Sequence, residues 1–240
     1  MQIEHAYFLD DRQLLLLLSL IDDNPVVGFS LEEEAEISLA VWQQTVFSLV
    51  KNGYLYYETE ASVSPELVPL LKTMKTASWV ALVHSKSAMF PVKLLYPGDK
   101  MVIVEQSGLR TCRLRKHQHL SEIWLNDELN LPRCVLSEEE TIDLEQTDED
   151  ILRCLEKWKQ QVIPLNASAS EWDSIPEMRV ILEFCDENAK VFCRWVWLED
   201  SLCWFVIQQT EQTCSVNIET KEQRQRLLKI LRMEEKNAVS

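Results

Sequence analysis

The sequence predicts an α+β fold built twice: two quasi-symmetric halves, each holding helices and a four-stranded antiparallel meander. Two observations predict it. Short segments rich in Val, Leu and aromatic residues fall into two blocks of four, and the turns between them recur at an offset of roughly 100 residues over three successive hairpins. A third observation supports a packed core, because 46% of the 240 residues are hydrophobic and eight are Trp.

Residues 10–21 and 31–52 read as the first two helices. Asp10 or Asp11 caps the first, and Ser30 followed by Glu33 is a capping-box signature for the second. Ile37, Val41, Val46, Leu49 and Val50 make the apolar face of that second helix, and Gly53 stands where a left-handed residue ends it. A third helix, 64–75, opens on Ser64 with Pro65 at its first turn. Strands at 79–84, 89–96, 100–106 and 110–115 follow, separated by turn residues such as Pro97-Gly98-Asp99 and Gln106-Ser107-Gly108. The first half closes with a helix at 118–129, ended by Leu131-Pro132.

The second half repeats the order. A long helix begins at Ser137 or Asp148 and runs to Val162, a loop covers 164–170, and strands fall at 178–185, 190–198, 202–208 and 213–218 before a helix at 221–233. The expected domains are therefore 1–133, with strands across 79–115, and 134–240, with a helix at 148–162 and strands across 178–218. Their sheets are expected to join or face each other about a pseudo-two-fold axis.

Charge and composition narrow the function classes. The longest apolar run, residues 14–18, is far short of the roughly 20 that span a bilayer. The first eleven residues carry acids where a signal peptide carries lysines, so the expected location is the cytoplasm, with no membrane partner. Seven widely spaced Cys without a C-x-x-C pair read as reduced, buried thiols. A formal charge of −15 argues against a nucleic-acid partner. Residues 72–116 run against that trend, with nine Lys and Arg against Asp99 and Glu105, and are read as neutralising acidic neighbours within the fold.

Catalytic signatures do not emerge. The four glycines rule out G-x-G-x-x-G and Walker-type loops, and no G-x-S-x-G occurs. The acids from Glu138 to Asp150 lack the spacing of a calcium loop and suit a helix N-terminus. His117 and His119 have no ligand partners at metal spacing, and His84 reads as a turn or surface residue. The expectation is protein binding without enzyme activity, metal or cofactor. Trp195, Trp197 and Trp204 read as core. For the stripe Ile151, Leu155, Trp158 and Val162 two readings stand: packing on the sheet, or a partner-binding edge formed with Leu227 and Leu231 of the terminal helix.

One order of features resembles a known family. The apolar helix of residues 14–21, the helix end Leu49-Val50-Lys51-Asn52-Gly53-Tyr54-Leu55, the segment from Val63 to Leu71, and four strands ending in a helix before Leu131-Pro132 look like the EspG-type chaperones of type VII secretion. The resemblance covers most of the chain in layout. It implies a central antiparallel sheet with helical bundles, no cofactor, and a cytosolic chaperone that binds a secreted helical substrate and keeps it soluble for export. Short hairpin loops, few glycines and the acidic charge point to a distant, Firmicutes-type branch. The competing reading is a winged-helix regulator, from three helices followed by Gly53-Tyr54-Leu55-Tyr56-Tyr57. It would act through protein rather than DNA contacts, because residues 38–51 offer Gln43, Gln44 and a single lysine.

Overall fold

A computed structural model describes residues 5–27, 38–57, 59–86, 92–106, 111–131, 136–166, 171–172, 174–200 and 203–232. The chain is a mixed α+β protein whose strands pair antiparallel at every register given below. It divides into two compact units, Met1–Val80 with Leu94–Gln118, and Ala81–Lys93 with His119–Ser240.

The first unit starts with a strand the sequence reading did not foresee, β1 (Ala6–Asp10), which runs directly into helix α1 (Asp11–Ser19). Asp10 makes the switch. Its backbone is extended, its carboxylate accepts from Gln13 N at 2.8 Å, and the Gln13 side chain accepts from Asp10 N at 2.9 Å, which is a complete capping box. Leu14, Leu17 and Leu18 bury the inner face of α1.

Helix α2 (Leu39–Lys51) follows Ser38, which is extended at φ −62° and ψ 148°, and residues 31–37, where its start was expected, lie outside the described residues. The Ser30–Glu33 capping box lies outside the described residues. The C-terminal expectation holds: Gly53 takes φ 72°, Gly53 N donates to Val50 O, and Tyr54 N donates to Leu49 O at 2.9 Å. A small hairpin follows, β2 (Leu55–Tyr57) against β3 (Ala61–Val63). Helix α3 (Val68–Thr76) starts four residues after Ser64, since residues 64–67 form a turn closed by Leu67 N to Ser64 O.

Strands β4 (Trp79–Ser85), β5 (Val92–Tyr96), β6 (Met101–Gln106) and β7 (Thr111–His117) form the expected meander. In the first unit the order is β1-β7-β6-β5-β4, with Trp79 and Val80 as this unit's share of β4. β1 adds to the outside of β7, with Ala6 opposite Arg115 and Asp10 opposite Thr111. Gly98 sits at a close approach, where an added Cβ would come within 2.9 Å of Thr73 Cγ2.

The second unit contains α4 (Glu122–Leu129), α5 (Glu138–Thr147), α6 (Glu149–Gln160), β8 (Met178–Asp186), β9 (Val191–Glu199), β10 (Trp204–Thr210), β11 (Cys214–Ile218) and α7 (Lys221–Leu231). Its strand order is β4-β8-β9-β10-β11. Both alternatives for the start of the long helix are realised, as two helices. Ser137 and Glu140 bond each other at the start of α5, and Asp148 caps α6 through Asp150 N and Ile151 N. An N-cap needs an extended backbone, so Asp148 breaks the helix in two.

A sequence boundary at 133 separates α4 from its packing partner. α4 packs with α7 in the second unit, and Arg224 Nη1 on α7 donates to Asn126 Oδ1 on α4 at 2.6 Å. The same arginine grips Glu219: Arg224 Nε to Oε1 at 2.9 Å and Nη2 to Oε2 at 2.7 Å, while Trp197 Nε1 donates to Oε1 at 2.7 Å. All four side chains are buried. Removing one partner of a buried ion pair leaves a charge without compensation. Arg224→Ala is therefore expected to lower unfolding free energy by about 3–5 kcal/mol, read from the urea midpoint, and Glu219→Gln with Arg224→Met to lose clearly less.

Candidate functional site

The six residues proposed for partner binding are placed in or against the core. Ile151, Leu155 and Trp158 project from α6 into a cluster with Trp172, Met178, Ile181, Val196, Leu198, Phe205, Ile207, Val216 and Ile218. Trp158 is 0% exposed, Val162 is partly buried against the same cluster, and Leu227 and Leu231 are buried on α7. The packing reading is correct for this stripe, and its exposure toward a partner is overturned. Neither Trp158 nor Trp172 finds an acceptor for its indole N–H among the described residues. Burial of their large apolar rings outweighs that loss.

The outward side of α6 is laced with ion pairs instead. Arg153 reaches Asp150 at 3.1 Å and Glu149 at 3.9 Å, Lys159 reaches Glu156 at 2.9 Å, and Lys157 bonds Glu177 at 3.0 Å while lying over the Trp158 ring. The hydrogen bond from Lys157 holds the Glu177 carboxyl below its ordinary range. Such a face is a solvated one.

One exposed apolar face among the described residues lies on α2. Leu39, Gln43, Val46, Phe47 and Val50 follow one helical face at i, i+4, i+7, i+8 and i+11. Leu39 is 74% exposed, Phe47 70% and Val50 42%. The buried side of α2 is Thr45 and Leu49, with Gln13 Nε2 of α1 donating to Ser48 Oγ at 2.9 Å. The apolar face read from sequence is split: Leu49 is buried, whereas Val50 is exposed. Tyr56 and Tyr57, in the strand that follows α2, are exposed as well. The signal that marks this surface is compositional: α2 is apolar on more sides than one neighbour can bury, and carries Lys51 as its single charge.

Five cations of the basic run of residues 72–116 are engaged within the fold. Lys75 contacts Asp22 at 3.4 Å, Lys86 donates to the Ile175 carbonyl at 2.9 Å, Lys93 bonds Glu128 at 2.8 Å, and Arg113 and Arg115 both bond buried Glu105. The described cysteines are free, and burial pushes their thiols up, Cys112 and Cys203 to about 12 and Cys185 and Cys193 to about 11. They are poor nucleophiles at neutral pH. Among the described residues no cluster of His, Cys, Asp and Glu side chains could hold a metal ion, and no helix is long and apolar enough to cross a membrane.

No protein-family model and no curated protein sequence matches the chain. Its fold is similar to that of a type VII secretion chaperone. The solved structure is that of Mycobacterium tuberculosis EspG5 in complex with a PE25–PPE41 dimer, matched with a TM-score of 0.54 at 10% identity over 95% of each chain.

Two outcomes follow from the geometry. Trp158→Ala is expected to cost roughly 3–5 kcal/mol of stability, seen as a large fall in melting temperature. Iodoacetamide labelling of the native chain is expected to modify Cys214 first among the six described cysteines, because it is the exposed one, with Cys112 and Cys193 reacting only after denaturation.

Proposed function

We propose that this chain is a cytosolic chaperone or adaptor that binds a secreted helical substrate of a type VII-like secretion system and keeps it soluble for export. The observation that carries this reading is the fold similarity to EspG5 over 95% of both chains, with EspG5 seen bound to a PE25–PPE41 dimer. The surface of α2 supplies a physical means. A chaperone of this kind covers an apolar helical tip that would otherwise aggregate, and Leu39, Phe47 and Val50 form an uncharged helix face suited to helix-against-helix packing. Catalysis and cofactors play no part in the proposed role.

A second reading keeps some support from one feature: the hairpin β2–β3 directly follows α2, as a wing follows a recognition helix. The exposed face of α2 is apolar and glutamine-bearing rather than basic, so a regulator built this way would also bind protein.

A photo-crosslinker at Phe47, used in cells with an active type VII system, is expected to capture a protein that the system exports. Phe47→Asp is expected to leave the melting temperature unchanged, weaken binding of that protein by at least about tenfold, and lower its export. Capture of a transcription factor, or export unaffected by the variant, would overturn the chaperone reading.

A further inference from the structure

Four side chains stand in one row across the last strands of the second unit. Glu183 on β8 opposes Arg194 on β9, Arg194 opposes Gln209 on β10, and Gln209 opposes Cys214 on β11. Directly opposed residues share a face of the sheet. The next row inward on that face, Ile181, Val196, Ile207 and Val216, belongs to the core cluster that α6 covers. Past the end of α6 the chain meets the polar row with backbone carbonyls instead: Gln209 Nε2 donates to Ile163 O at 2.7 Å, and Arg194 Nη1 to Pro164 O at 3.1 Å.

All four residues of the row line a cavity of about 650 Å³, a size that suits a small ligand. Its rim is built from the hairpin ends beyond the row, where Lys190 pairs with Glu211. Two acceptor atoms on its floor are not used by the row itself. Gln209 is 3% exposed, and its Oε1 has no hydrogen-bond partner among the described residues. Glu183 is 5% exposed, and Arg194 Nε and Nη2 both bond its Oε1, at 2.7 and 2.6 Å, which leaves Oε2 outside that pairing. A buried acceptor that has lost water without replacement is stabilised by any donor that reaches it. Local charge selects the sign of that donor: the floor and the hairpin ends carry Glu183, Asp186, Glu187 and Glu211 against Lys190 and Arg194.

We propose that this cavity binds a primary ammonium group carried on a short aliphatic chain. An ammonium offers N–H donors and no acceptor, which matches a floor whose unused atoms are acceptors. One N–H satisfies Gln209 Oε1, and the surrounding acids offset the charge. Leu165 and Val191 in the lining give the methylene stem apolar contact. A carboxylate or phosphate would meet the same acids and find no match for Gln209 Oε1. The site lies wholly in the second unit, whereas α2 belongs to the first, so it holds or fails independently of the role proposed for α2.

The test titrates the full-length, isotope-labelled chain with butylammonium, which is expected to move the Gln209 side-chain amide resonances to saturation at millimolar concentration. Butyltrimethylammonium keeps the charge and the chain but has no N–H, and is expected to bind at least about tenfold more weakly. Gln209→Met removes the acceptor and is expected to weaken butylammonium to a similar degree, read by calorimetry. Absence of a saturable shift with butylammonium overturns the proposal, as does equal binding of the trimethyl compound or undiminished binding to a folded Gln209→Met chain. A capped Gly-Lys-Gly peptide presents the same group from a polypeptide. If it binds as butylammonium does, the site takes a lysine side chain of another protein; if butylammonium alone binds, the site takes a free amine, and either result supports the proposal. Should Gln209→Met not fold, the comparison of the two ammonium compounds decides.

Discussion

A carboxylate closed off from water must find its countercharge inside the fold, and Glu219 is the residue around which the second unit is arranged. It sits at the end of β11, one residue before the cap of α7, and collects Arg224 from α7 and Trp197 from β9. Arg224 passes its remaining reach to Asn126 on α4. Two helices and two strand segments are thereby fixed by one set of charge-assisted hydrogen bonds in which both carboxylate oxygens are occupied. The fork geometry of arginine suits this arrangement, because Nε, Nη2 and Nη1 are three separate nitrogens in one plane, whereas a lysine offers its donors from a single nitrogen. Thr220 continues the same junction with a capping box, accepting from Gln223 N while Gln223 accepts from Thr220 N at 2.9 Å.

The same solution recurs where strands cross the core. Glu183 on β8 faces Arg194 on β9 across the ladder, and Arg194 Nη1 also donates to the Pro164 carbonyl at 3.1 Å. In the first unit Glu105 is shared by Arg113 and Arg115. Buried pairs of this kind contribute little net stability against an apolar alternative, because desolvation offsets attraction. They do penalise a slipped register, since a one-residue shift would move Arg194 to the opposite face of the sheet from Glu183. In strands this apolar, where β9 reads Val-Phe-Cys-Arg-Trp-Val-Trp-Leu-Glu, the charged pair marks the register that hydrophobicity alone leaves weakly defined.

Much of this was legible in the sequence, and the failures share a cause. Meander strands were readable because Val, Leu and aromatic runs ended in turn residues, and the end of α2 was readable because Gly53 could take a positive φ where other residues strain. β1 was missed because a five-residue strand fused to a helix through Asp10 shows no turn between the two. α5 and α6 were left as alternatives because Ser137 and Asp148 both carry cap chemistry, and only three-dimensional packing shows that both are used. Within the basic run of residues 72–116, Lys75, Lys86, Lys93, Arg113 and Arg115 each find an acid or a carbonyl inside their own unit. Trp158 was undecidable from periodicity, which states that a stripe is buried and is silent on whether the chain's own sheet or another protein buries it.

Charge on the remaining face of each helix supplies what periodicity lacks. α6 turns Ile151, Leu155 and Trp158 inward, and its outer side, apart from exposed Leu152, carries Glu149, Asp150, Arg153, Glu156 and Lys159 paired at helical spacing. α2 has no such pairing: after Thr45 and Leu49 are buried, Leu39, Phe47 and Val50 still face outward with only Lys51 nearby. Between two amphipathic helices of one chain, the one that stays apolar on its outer side is the better candidate for a partner surface. An exposed apolar face also promotes self-association. The charge of −15 opposes it, since copies that would stack through α2 repel one another. Acidity and the apolar helix are thus physically compatible, because repulsion between copies opposes stacking through the exposed face of α2.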